Sequence, residues 1–158
     1  MTSLIIIPLN AYQDNYIWLI MRPGCDAVWV VDPGDAAPVC DFLKAQSLRL
    51  AGILITHHHW DHCNGVDALV ARFRVPVYGS SHASITEKVS AGDTVLLREL
   101  NVTLSVMAIP GHTLDHLAYY SDAAQILFCG DTLFSAGCGR LFEGTAAQMF
   151  ASLSALAA

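Results

Sequence analysis

Seven consecutive residues, Thr56-His57-His58-His59-Trp60-Asp61-His62, restrict this chain more than any other stretch. Four of the seven are histidine and a fifth is aspartate. Neutral imidazole and carboxylate are the usual nitrogen and oxygen donors for zinc and related divalent ions. The apolar run 52–55 before the stretch reads as a buried strand. After it, Asn64 is read as the cap of a helix running to about Phe73, with Asp67 in its acid-favouring first turn. The cluster is therefore expected on a strand-to-helix loop. On an extended strand end His57 and His59 point the same way, whereas Asp61 and His62 must turn towards a different point. That spacing suits two neighbouring metals, and it differs from H-E-x-x-H, which sets two histidines on one helical face.

Two later strand ends repeat the residue type. The run 102–109 alternates and must be a strand; it ends at Pro110-Gly111-His112-Thr113. Runs 117–120 and 125–129 read as a hairpin, and the second ends at Gly130-Asp131. Three apolar strands thus terminate in H-x-H-x-D-H, G-H-T and G-D, and strand ends on one sheet edge are where a rigid backbone presents ligands. Earlier in the chain, runs 4–9, 16–21 and 27–31 suggest a meander of three strands. Turn chemistry before Pro33-Gly34 accounts for Asp32, with a supporting contact to a metal ligand as the alternative. Residues 35–48 carry helical spacing with Pro38 early. Val75-Pro76-Val77-Tyr78 reads as a short strand that Pro76 would put at an edge. His82 lies away from the motifs and reads as a surface or capping residue. Gly137-Cys138-Gly139-Arg140 lacks phosphate-loop spacing and reads as a flexible turn. Thr145 and Gln148 form a capping box opening a helix that runs to Ala158 without a stop signal, so the chain is expected to end in mid-element.

At 158 residues, 54% of them hydrophobic and 14% charged, the chain suits one domain with a proper core. Its apolar runs are strand-sized, far from a membrane span, and no secretory leader is visible. A net charge of −6 argues against nucleic acid or an anionic membrane as partner. It also means that an anionic substrate must be drawn in by local positive charge. Cys25, Cys40, Cys63, Cys129 and Cys138 include no C-x-x-C pair and read as reduced thiols of a cytoplasmic protein. They are expected to be mostly buried fillers, with Cys63 and Cys129 weighed as soft-metal donors.

The three motifs together resemble the metallo-β-lactamase superfamily. Asp14-Asn15-Tyr16 and the stretch GDTLFSAGCGRLFEGT at 130–145 are similar to those of its glyoxalase II (hydroxyacylglutathione hydrolase) family, and the likeness runs over essentially the whole chain. The resemblance implies an α/β fold, an αββα sandwich with mixed sheets and a dinuclear site at one edge. It assigns His57, His59 and His112 to a first metal, Asp61 and His62 to a second, and Asp131 as the bridge. Zinc is the first expectation, with iron or manganese as alternatives. Arg140 would contact a glutathione moiety, Phe142 would sit nearby, and His116 would support a ligand without being one.

On this reading the substrate is S-lactoylglutathione, hydrolysed to lactate and glutathione by a monomer without a Ser or Cys nucleophile. Asp61 and Asp131 would carry the catalytic metal pair. Two departures accompany the likeness. The family draws one more histidine for its second metal from beyond residue 158, and its C-terminal glutathione-binding helical domain is not in the sequence. The rival readings are a mononuclear iron persulfide dioxygenase using His57, His112 and Asp131, and an inactive metal-binding fragment.

Overall fold

A computed structural model describes residues 3–158. Two sheets face each other, and the apolar strands fall into them as their periodicity requires. The first sheet holds β1 (Ile5–Ala11), β2 (Asn15–Met21), β3 (Ala27–Val31), β4 (Arg49–Leu54), β5 (Val77–Gly79) and β6 (Glu87–Lys88) in that spatial order. Strands β1, β2 and β3 form the antiparallel meander; β3 to β6 run parallel. The second sheet, β7 (Thr94–Leu97), β8 (Val102–Ala108), β9 (Leu117–Ser121) and β10 (Ile126–Phe128), is antiparallel throughout.

Both faces of the first sheet are covered, which is why β3 reads as an unbroken apolar run instead of alternating. Trp29, Val31 and Leu54 meet Leu104, Val106 and Tyr119 of the second sheet in one core. Val28, Val30 and Ile53 point the other way, into a second core under α1 (Ala36–Gln46) and α3 (Val66–Phe73) with Val39, Leu43 and Leu69. By contrast β8 alternates buried and exposed for most of its length, as a strand covered on one face should.

Several local expectations are corrected. Asn64 does not cap α3. The His loop itself winds into a helical turn, α2 (Trp60–Cys63), Gly65 stands at the start of α3, and the Asn64 amide donates to the Tyr12 hydroxyl. Pro76 does not mark an edge, because it precedes β5, whose residues pair with both β4 and β6; the missing N–H costs nothing there while the Pro76 carbonyl accepts from Ile53. The 137–140 turn is built on a ribbon of β11 (Leu133–Phe134) and β12 (Gly137–Cys138). The capping box at Thr145 and Gln148 is present and opens α4 (Ala146–Leu156). That helix closes with the Ala157 N–H on the Leu153 carbonyl, short of Ala158. Met149 of α4 lies against Gly111, and the Ser152 hydroxyl donates to the Pro110 carbonyl. Among the described residues no helix is long and apolar enough to cross a membrane.

Candidate metal centre

The donor residues gather where the two sheets meet at one end. Just past β4, the Thr56 carbonyl accepts from the Leu117 N–H of β9, while the Tyr119 hydroxyl donates to the Ile55 carbonyl. These bonds fix the position from which His57 emerges. The Thr56 hydroxyl is 2.6 Å from Asp32 Oδ2 and 3.0 Å from His57 Nδ1. It has one proton, which goes to the carboxylate, so it accepts from His57 Nδ1–H and leaves the lone pair on Nε2. Asp32 Oδ1 takes the Thr56 N–H at 2.7 Å, and Oδ2 also faces His62 Nδ1 at 3.0 Å. His62 therefore donates from Nδ1 and turns its Nε2 towards the Asp131 and Asp61 carboxylates. The His57 Nε2 is buried and without a hydrogen bond, a costly arrangement for a polar atom unless something else takes the lone pair.

His112 is oriented in the same way from the far side, its Nδ1 donating to the Arg140 carbonyl at 2.7 Å. Its Nε2 lies 2.9 Å from His59 Nδ1 and 3.3 Å from Asp131 Oδ2. Donor atoms of His57, His59 and His112 fall within 4.8 Å of one another. The other Asp131 oxygen is 3.3 Å from His62 Nε2, which is 3.6 Å from Asp61 Oδ2. The Asp131 carboxylate thus stands between two donor groups, His57–His59–His112 and Asp61–His62. Asp61 is steadied by the Asn15 amide at 2.8 Å. His116 accepts from the Asp131 N–H on Nε2 and donates to the Leu117 carbonyl from Nδ1, so both nitrogens are used.

Electrostatics separate these imidazoles. Burial, then the neighbouring histidines, holds His57 far below the ordinary imidazole value. Burial likewise lowers His116 to about 4. Burial opposes protonation of His62 as well, yet the Asp131 and Asp32 carboxylates outweigh it and raise its pKa to about 10. Asp131, although burial works against ionisation, is held below its usual value by His62 and the other imidazoles. A concentration of carboxylate and lone-pair donors of this kind is the environment a divalent cation compensates.

A profile of the Metallo-beta-lactamase superfamily matches residues 13–157. The chain belongs to that superfamily. It is 52% identical over 158 residues to a hydroxyacylglutathione hydrolase of Chromohalobacter salexigens, an alignment covering 98% of this chain and 62% of the relative. The chain thus spans about three fifths of that relative's length. Among solved structures it superposes on the BLEG-1 B3 metallo-beta-lactamase with a TM-score of 0.83 at 26% identity, covering 96% of this chain and 84% of the other. ETHE1 from Myxococcus xanthus gives a TM-score of 0.81 at 30% identity, with 95% and 68% covered. These neighbours share the arrangement expected of the superfamily, mixed sheets flanked by helices.

Within this superfamily chain, all six donors singled out in the sequence come together, and so do the two residues expected beside them. Arg140 and Phe142 line a cleft of about 1110 Å³ shared with Asp61, His62, His112 and Asp131. The Phe142 ring stands edge-on to His59 and His112, 5.3 Å from each. No cysteine falls in a clustered donor group among the described residues. The Cys63 thiol donates to the His57 carbonyl at 3.1 Å, and burial keeps it protonated. Cys129 faces the Leu133 carbonyl. His82 accepts from the Ser84 N–H, a local turn contact.

Asp32 is the residue that turn chemistry undervalued. It is 4% exposed and holds Thr56 and His62 together. Its sequence signal was a carboxylate directly after the apolar run 27–31; in the structure that strand is buried throughout and Asp32 takes a positive φ of 52°. Asn15 was visible only as part of a motif.

Proposed function

We propose that the chain is the metal-binding part of a thioester hydrolase acting on S-lactoylglutathione or a related 2-hydroxyacylglutathione. The observation carrying this reading is the buried, unpaired Nε2 lone pair of His57, its tautomer fixed, with His62 Nε2 and His112 Nε2 both facing the Asp131 carboxylate that stands between the two donor groups. The donor set fits two divalent ions, one held by His57, His59 and His112 and one by Asp61 and His62, with Asp131 shared. All-nitrogen and oxygen donors suit zinc first, and accept iron or manganese. When bound, such ions supply Lewis acidity and lower the pKa of water to about 7, the chemistry a thioester hydrolysis needs at neutral pH.

The chain's own residues do the rest. Asp32 and Thr56 keep His57 and His62 in the donor tautomer, and the Arg140 carbonyl does so for His112. The Arg140 guanidinium supplies local positive charge for a glutathione carboxylate in a chain of net charge −6. Phe142, 60% exposed over the histidines, offers an apolar surface beside the reacting group. No protein nucleophile is required. A monomer in the cytoplasm, where five free thiols stay reduced, completes the reading. The names of the curated hydroxyacylglutathione hydrolase relatives support it.

A single-iron dioxygenase using His57, His112 and Asp131 would leave Asp61 and His62 idle, although Asn15 and Asp32 hold each of them in place. Elemental analysis with a thiol-release assay on S-lactoylglutathione tests the proposal. Two ions per chain with glutathione release are expected. One iron per chain with oxygen uptake would replace it with the dioxygenase, and bound metal without turnover would leave a metal-binding fragment.

A further inference from the structure

His58 sits between two donor histidines, yet its ring turns outwards, away from their shared gap. Its Nδ1 lies 2.8 Å from Asp115 Oδ1 and its Nε2 3.3 Å from Glu143 Oε1. Each carboxylate is itself tied down. The Ser80 hydroxyl, just past β5, lies 2.8 Å from the Asp115 carbonyl and 3.3 Å from Asp115 Oδ2. Glu143 Oε2 takes the Leu114 N–H at 2.8 Å. One imidazole therefore joins the His loop, the turn after β8, the end of β5 and the segment 140–144. The three side chains are committed to one another, to Ser80 and to Leu114, which makes the cluster a clasp.

Besides the clasp, the 140–144 segment is held by the His112 Nδ1 bond to the Arg140 carbonyl at 2.7 Å and by three backbone bonds. The Phe142 and Glu143 N–H groups both reach the His112 carbonyl, at 3.2 and 3.4 Å, and the Gly144 N–H reaches the Gly111 carbonyl at 3.1 Å. Two of these three bonds are at or beyond the long end of the normal range. Yet the segment carries Arg140, whose carbonyl orients His112, and Phe142, whose ring covers it.

We propose that His58 is a positioning residue: held between Asp115 and Glu143, it locks the 140–144 segment onto the ligand loops and thereby sets how tightly substrate is gripped. The kinetic half of the test rests on the thioesterase reading; the exchange half does not. Amide hydrogen exchange is followed on the 158-residue chain, zinc-loaded and chelated, for His58→Ala, Glu143→Ala and His58→Gln. Exchange across 140–144 becomes roughly twofold to fivefold faster in both alanine variants, the loss expected for one partly exposed ion-pair contact. It returns towards the parent rate in His58→Gln, whose amide still reaches Glu143, while β8 exchanges unchanged in all three.

With S-lactoylglutathione, KM rises roughly fivefold to tenfold in the alanine variants, and kcat and zinc content hold. Unaltered exchange across 140–144 in both alanine variants overturns the proposal, whatever the kinetics. Loss of zinc at unchanged KM also overturns it, assigning His58 to the donors instead. If the parent chain hydrolyses no thioester, the thioesterase reading fails, while the exchange rates still decide the clasp.

Discussion

The floor and the rim of the cleft are built on different principles. At the floor His57, Thr56, Asp32 and His62 are all less than a tenth exposed. Every proton among them has an assigned place, from the Thr56 hydroxyl on Asp32 to the His62 Nδ1–H on the same carboxylate. At the rim Phe142 is 60% exposed, and Arg140 reaches the cleft from a ribbon-borne segment held by backbone bonds and by the His112 and His58 imidazoles. The floor belongs to the sheet: Asp32 follows β3, Thr56 follows β4, and the pairing of those two strands brings them together. The rim belongs to loops. A superfamily built this way can keep its metal chemistry constant while its loops select the substrate.

The residue that touches both regions gives the largest test. Replacing Asp131 with alanine removes the carboxylate between the two donor groups. Metal content should fall and thiol release drop by at least about 10³-fold, measured by elemental analysis and the glutathione assay. Retained turnover would break the distinction, because the floor would then work without its link to the rim.

Next comes Asp32→Asn, which keeps the shape of the floor but weakens its grip on Thr56 and His62. Metal affinity should fall about 10–100-fold, read by competition with a chromophoric chelator, with kcat of the fully loaded chain changing much less. A rim substitution, Arg140→Ala, should leave metal content intact and raise KM for the glutathione thioester roughly tenfold. If it instead strips metal, the Arg140 carbonyl on His112 matters more than the guanidinium, and floor and rim are one unit.

The smallest effect is in pH. In the chelated chain His62 is raised from 6.5 to about 10, so its contribution to stability is complete below 6.5 and is lost as pH rises through about 10. His57 and His116 are lowered, His116 to about 4. Their contribution is present above 6.5 and is lost as pH falls below it. The melting temperature of the chelated chain should therefore peak near neutral to mildly acidic pH and decline on both sides, and zinc should flatten the alkaline limb. A monotonic profile would show that the floor histidines do not titrate as their surroundings require.

Tight packing joins the two regions at Gly139. A Cβ there would overlap the Asp131 carbonyl, and one at Gly144 would meet the Gly111 backbone. Gly139 and Gly144 allow the loop to lie directly on the donor segments.

By itself the sequence marked the candidate donors. A metal needs lone pairs of particular types at short spacing, so H-x-H-x-D-H, G-H-T and G-D announce themselves in residue identity, and each could be placed at a strand end from apolar periodicity alone. The strands that positioned them were equally legible, because burial on one or two faces writes its own pattern. Only the tertiary structure decided which groups support those donors. Asp32 lies 24 residues from Thr56 and 30 from His62, Asn15 lies 46 from Asp61, and Asp115 lies 57 from His58. Which of many carboxylates and amides meets a given imidazole depends on strand order and register. Those are set by the sum of packing over two cores, and no local stretch of the chain contains that sum.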